Sequence, residues 1–240
     1  MTNIKMKVEI WSDIMCPFCY IGKRKFDNAL EQFSQRDNIE VIWKSFDLAP
    51  GLKTDTSIHS VDFLQKHKGM SEAQAKQAIA RVTDFAKETG LDYDYDKIVV
   101  ANTHRGHQLI HLAGQIGLQD AMKERLLKAY FIEGRNVDDV ETLVDLGQEV
   151  GLEKETIESE LNESQFAAHI EQDIAEARNI GVNGVPFFVF DRKYAVSGAQ
   201  PEEQFLNVLQ KSYSEWYAKQ DHPELEVVQG TSCDVDGNCD

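Results

Sequence analysis

The chain has 240 residues, 42% of them hydrophobic and 28% charged, and 41 acidic residues against 25 Lys and Arg leave a net charge of −16 at pH 7. This size and composition fit a soluble globular chain of one domain, or one domain with an insertion, that can bury a core without disulfide staples. The acidity argues against nucleic acid and anionic membranes as partners. No run of about 18 apolar residues is present to cross a bilayer, and residues 1–7 lack the basic-then-apolar pattern of a secretory leader, so a cytoplasmic location is expected.

Lys7 to Trp11 alternates and then turns apolar, as an inner strand does. Cys16-Pro17-Phe18-Cys19 follows. Tyr20, Ile21, Phe26, Leu30 and Phe33 then predict a helix from Pro17 to Phe33, with Lys23, Arg24 and Lys25 on its exposed side. Ile39 to Phe46 alternates as a second strand and closes at Ala49-Pro50-Gly51; a right-handed crossover makes the two strands parallel. From 55 to 171 the pattern is helical. Ser71 and Gln74 form a capping box for a helix running through Ile79, Val82 and Phe85 to Gly90, and further helices are predicted over 102–116, 120–131, 140–150 and 154–161. Ser164 is read as the N-cap of a last helix through Ile170, Ile174 and Ala177. Val185-Pro186 heads the apolar strand Phe187 to Phe190, a turn at Asp191-Arg192-Lys193 leads to the strand Tyr194 to Gly198, and a helix from Pro201 to Tyr217 closes the fold. The expected organisation is an α/β domain in two parts, 1–54 and 172–222, a helical insertion at 55–171, and an acidic tail at 223–240.

A C-x-x-C between a strand and a helix is the layout of a thioredoxin-like redox site. The helix N-terminus favours a thiolate there, and the second thiol can resolve a mixed disulfide formed by the first. Cys16 is therefore expected to be more exposed and more acidic than Cys19. A zinc half-site is the alternative, but zinc needs four ligands and the other cysteines, Cys233 and Cys239, stand far along the chain, so neither a metal nor another cofactor is expected. Proline heading an apolar strand suggests a special turn. A cis Val185-Pro186 bond is expected, presenting a backbone edge to which an extended peptide can pair; a trans proline that starts a strand is the other reading. His104, His107 and His111 share one helix face, where they could line the cleft, move protons, hold a metal or simply pack. Cys233 and Cys239 flank an Asp-Gly turn and are read either as an auxiliary redox pair or as an adventitious or metal-chelating tail.

Three blocks together, Trp11-Ser12-Asp13 with Cys16-Pro17, Cys19-Tyr20 and Gly22, then Asn102-Thr103 with Arg105, His107 and His111, then Gly181-Val182 with Gly184-Val185-Pro186-Phe187-Phe188, resemble the DsbA-like thiol-disulfide oxidoreductases of the FrnE branch. The resemblance covers nearly the whole chain and implies a thioredoxin-like fold with a large helical insertion. It also implies dithiol-disulfide oxidoreductase or isomerase activity on protein or peptide substrates, with glutathione or a thioredoxin-type protein as reductant. It assigns Cys16 as attacking thiol, Cys19 as resolving thiol and Pro186 as the cis-proline, with Val185, Pro17, Phe18 and His107 at the substrate. Phe18 departs from the histidine of periplasmic DsbA proteins, which implies a less oxidising pair. Two other functions remain open: a glutathione-dependent isomerase or transferase of small molecules, against which the retention of both cysteines argues, and a non-enzymatic chaperone or metal-binding module.

Overall fold

A computed structural model describes residues 4–220. β1 (Met6–Ser12) and β2 (Ile39–Ser45) pair in parallel, with Ile10 opposite Trp43, and α1 (Pro17–Gln32) is the crossover between them. β3 (Phe187–Phe190) runs antiparallel on the other side of β1, and β4 (Tyr194–Ser197) pairs with β3, giving the order β2-β1-β3-β4. Asp191 and Arg192 both take positive φ, 47° and 52°, and Lys193 N donates to Phe190 O at 2.9 Å, a tight turn within the three-residue loop 191–193 that joins Phe190 to its partner Tyr194.

The alternation of side chains divides the core into two faces. Val8, Ile10, Phe188 and Phe190 face Phe26 of α1 and Phe205 of α9 (Glu202–Ala218), where the Phe188 and Phe205 rings meet edge to face with centroids 4.6 Å apart. Trp11, Phe187 and Val189 face the other way, onto Ala177 of α8 (Ala167–Asn179). Trp11 Nε1 donates to the Asp173 carbonyl at 2.9 Å, fixing that helix on the sheet.

Between β2 and α8 lie α2 (Ser60–Lys68), α3 (Glu72–Lys87), α4 (His104–Gly114), α5 (Gln119–Lys128), α6 (Val140–Val150) and α7 (Lys154–Glu163). The expected capping box is present, Gln74 N donating to Ser71 Oγ and Ser71 N to Gln74 Oε1. α5 runs on as a wide π turn, Ala129–Glu133, ended by Gly134 at φ 67°. α2 went unpredicted because its only buried residue is Ser60, so it carries no apolar period.

Two expectations need correction. Ser164 does not start α8; it sits in the left-handed region at φ 54° as the C-cap of α7, its N–H donating to Glu160 O, and Phe166 is the residue before α8. Lys23 is not on an exposed face. It is 3% exposed, and its ammonium lies 2.8 Å from Asp27, 3.1 Å from Asp120 and 3.4 Å from Glu124, because α5 packs where solvent was expected.

Candidate active site

Cys16 is the N-cap of α1, with φ −87° and ψ 112°, and Pro17 takes the first helical position, where its missing N–H forfeits no bond. Cys16 N donates to Asp13 O, Cys19 N to Cys16 O, and Tyr93 Oη donates to the Pro17 carbonyl at 2.7 Å, so a residue of the helical segment clamps the motif's backbone. Both cysteines are free thiols, Cys16 4% exposed and Cys19 fully buried. Cys16 Sγ donates to the Val185 carbonyl at 3.3 Å, which brings the two distant motifs together, and the Val185-Pro186 bond is cis. Gly22 makes room for this approach: a Cβ there would stand 2.8 Å from Pro186 Cγ.

Beneath Cys19 lies a buried polar layer. Asp13 accepts from Thr103 Oγ1 and Leu48 N at 2.8 Å each and from Met15 N at 3.3 Å, and His107 Nε2 stands 3.5 Å from its carboxylate. Burial opposes the Asp13 charge, but His107 and these donors together hold its carboxyl below the usual range. Burial outweighs Asp13 at His107, whose imidazole is held below its ordinary value and so is neutral at pH 7. Lys123 of α5 is 1% exposed, and burial pushes its ammonium down to about 8 against the pull of Cys19, Asp13 and Cys16.

The two thiols differ in a direction opposite to expectation. The hydrogen bond to Cys19, burial and the Asp13 charge push the Cys16 thiol well up. Burial also raises Cys19, but the hydrogen bond from Cys16, the Lys123 charge and Ser12 outweigh it, and its thiol is held below the ordinary value. Cys16 is thus the less covered sulfur without being the more acidic one. The helix end is roofed over in the fold, and the buried cation stands on the Cys19 side.

The histidines part company. His107, expected at the substrate, is buried at 3% exposure against Asp13. His111 Nε2 lies 3.0 Å from Ser45 Oγ and 3.2 Å from Asp173 Oδ2, tying α4 to β2 and α8. His104 begins α4, its N–H capped by Asn102 Oδ1. Cys233 and Cys239 lie outside the described residues.

Beside Cys16, an apolar groove of about 690 Å³ is lined by Pro17, Phe18, Phe63, Ile79, Phe85 and Tyr95 among others. Phe18 is 45% exposed and meets the Phe85 ring at 6.3 Å. Sequence reasoning overlooked Tyr93 and Lys123. Neither sits in a motif, and Lys123 in a charged helix reads as a surface residue. Asp13 and Thr103 stood within the quoted blocks, although no role was attached to them.

The family model for the DSBA-like thioredoxin domain matches residues 7–210. The chain is 35% identical to a probable DsbA oxidoreductase from Streptomyces coelicolor, with 98% of both chains covered and a TM-score of 0.80. Two further solved structures share the fold at lower identity. The cytosolic disulfide reductase DsbM from Pseudomonas aeruginosa is 18% identical over 87% of this chain and 99% of its own, with a TM-score of 0.60. A 2-hydroxychromene-2-carboxylate isomerase is 16% identical over 89% and 97%, with a TM-score of 0.63.

Proposed function

The chain belongs to the DSBA-like thioredoxin domain family, and from that premise we propose that it is a dithiol-disulfide oxidoreductase acting on protein or peptide substrates through Cys16 and Cys19. The observation that carries this reading is the placement of Cys16 at the N-cap of α1, its sulfur against the Val185 carbonyl and Cys19 one helical turn behind it. Cys16, the less covered sulfur, attacks the substrate disulfide as its thiolate and forms a mixed disulfide. Cys19 then attacks Cys16, closing the intramolecular disulfide and releasing the substrate thiolate. The backbone at Val185 and Pro186 offers the edge for an extended peptide, and Pro17 and Phe18 border the groove that receives an apolar substrate side chain. Glutathione or a thioredoxin-type protein in a reducing cytoplasm would return the pair to the dithiol.

Insulin reduction coupled to glutathione tests the assignment. Cys16→Ser should abolish turnover, and Cys19→Ser should accumulate mixed disulfides visible by mass spectrometry. Turnover retained in Cys16→Ser would overturn it. The size of the apolar groove favours a second reading, glutathione-dependent isomerisation or transfer on a small apolar molecule. Conjugation or isomerisation of such a molecule that survives Cys19→Ser, with no insulin reduction by the unaltered protein, would select it.

A further inference from the structure

Two lysines are buried side by side in this molecule and are treated oppositely. Lys23 lies 5.8 Å from the centre of the Trp43 ring and Lys123 lies 5.5 Å from it, one on α1 and the other on α5. Lys23 has three carboxylates around its ammonium, Asp27, Asp120 and Glu124. Lys123 makes no ion pair among the described residues, although a buried ammonium without a counter-ion is strongly disfavoured.

On the elements packed around Lys123, Glu40 of β2 and Glu141 of α6 are exposed to solvent, and several of the other charges are already committed. On β2, Lys44 is held by Asp173 and Glu176. On α6, Asp145 and Glu149 are taken by Arg135 and Arg125. On α4, His107 stands 3.5 Å from Asp13, whose carboxylate also accepts from Thr103, Met15 and Leu48. Cys19 stands one turn before Lys23 on the same face of α1, the face turned to Trp43 and Lys123, and of the nearby anions its sulfur acts on the Lys123 charge most strongly, ahead of Asp13 and Cys16.

Building on the thiol-disulfide reading, we propose that Lys123 is the counter-ion of the Cys19 thiolate, a positioning residue supplied by the helical segment to ionise the resolving thiol. The free dithiol can do without it, because the Cys16 S–H can turn from the Val185 carbonyl to Cys19 when the latter ionises. In the mixed disulfide that donor is gone, since Cys16 sulfur is bonded to the substrate. Of the groups that favoured the Cys19 thiolate, Lys123 is then the charged one left, with the Ser12 hydroxyl, which has no other partner, beside it. One proton is shared within the buried pair: the neutral amine and thiol become ammonium and thiolate. Cys19 sulfur attacks Cys16 sulfur, the new S–S bond forms, and the Cys16–substrate bond breaks with its electron pair leaving on the substrate thiolate. The substrate disulfide is reduced by two electrons and the Cys16–Cys19 pair is oxidised by two. Lys123, stripped of its anion, gives its proton to the departing thiolate, directly or through water.

The experiment is stopped-flow reaction of the reduced full chain with Ellman's reagent, in which attack by Cys16 releases one nitrothiobenzoate and resolution by Cys19 releases a second. Lys123→Met should slow the second release about tenfold at pH 7 for about two pKa units of thiol acidity lost, because the more basic thiolate is also the better nucleophile and recovers about half of each decade. It should leave the first within about threefold, and the deficit should shrink as pH rises and Cys19 ionises unaided. A second release as fast as in the unaltered protein overturns the inference. Failure of the unaltered protein to give either release overturns the thiol-disulfide reading instead. Should the variant not fold, nitrogen-15 NMR of the unaltered protein decides: the Lys123 Nζ titration should move to lower pH when the disulfide closes, and an identical midpoint in both redox states overturns the proposal.

Discussion

At the scale of single residues, the chemistry turns on where one proton sits between two sulfurs. A cysteine at an open helix N-terminus is acidified by the unpaired N–H groups and the helix dipole. Here that advantage is countered at Cys16 by the hydrogen bond to Cys19, by burial and by the carboxylate of Asp13. The Cys16 thiol therefore titrates above its ordinary value, and its thiolate appears only as pH rises well past neutrality. Alkylation by iodoacetamide, followed by peptide mass spectrometry, should label Cys16 at a rate still climbing above pH 9. Asp13→Asn removes the negative charge and keeps one acceptor oxygen for the Thr103 hydroxyl, at the cost of the bond from Leu48 N, so the same profile should shift to lower pH and Cys16 should label faster at pH 7. A profile that reaches its plateau below pH 8 in the unaltered protein would show that the helix dipole prevails over the buried anion.

At the scale of elements, the molecule depends on how its edge strand is covered. β2 has β1 on one side only, which leaves part of its backbone to be satisfied by something other than a strand. Side chains do this. Gln119 of α5 accepts from Trp43 N at 2.9 Å and donates to Trp43 O at 3.1 Å, as a neighbouring strand would, and Asp173 of α8 accepts from Ser45 N at 2.9 Å. Gln119→Ala leaves both polar groups of Trp43 without that partner and should destabilise the protein by about 1–3 kcal/mol in urea unfolding. A loss within about 0.5 kcal/mol would mean that water replaces the amide without cost. The strands and the helices of the insertion were legible in the sequence wherever apolar residues recurred at one period, as in α1, α3 and α6. α2 lacked that period, and the αL geometry of Ser164 is invisible in a residue type that caps either end of a helix. Lys23 misled because a run of three basic residues looks like a solvated face until the helix packed over it is known.

At the scale of the whole molecule, α1 contributes the cysteines and the helical segment contributes much of what surrounds them: Tyr93 on the motif's backbone, Thr103 and His107 at Asp13, and Lys123 behind Cys19. The two thiols and Pro186 could be read from local spacing, since each stands in a short motif. The layer beneath them could not, because its members come from five stretches of chain and meet only in three dimensions. That layer also sets how stability varies with pH. Asp13 and Asp173, held below their ordinary value, contribute stability that is present above pH 3.8 and lost as pH falls through their folded values. His107, also depressed but basic, makes the unfolded chain bind more protons below pH 6.5, so stability falls there as well on acidification. Lys123 follows the same sign in a different window. Between about 8 and 10.5 the unfolded chain holds a proton that the folded one has shed, so stability rises with pH across that interval, and below it the folded protein bears the full cost of a buried ammonium. A displacement from 10.5 to about 8 corresponds to about 3 kcal/mol at neutral pH. Lys123→Met, which fills the same space without charge, should therefore raise the unfolding free energy of the reduced protein at pH 7 by about 1–3 kcal/mol, packing losses taking part of the gain. The advantage should dwindle as pH passes 10.5, where the lysine of the unaltered protein is neutral in both states. Urea unfolding of both proteins at pH 7 and pH 10.5 measures the difference, and a variant less stable than its parent at pH 7 would show that the ammonium is fully compensated in the folded state.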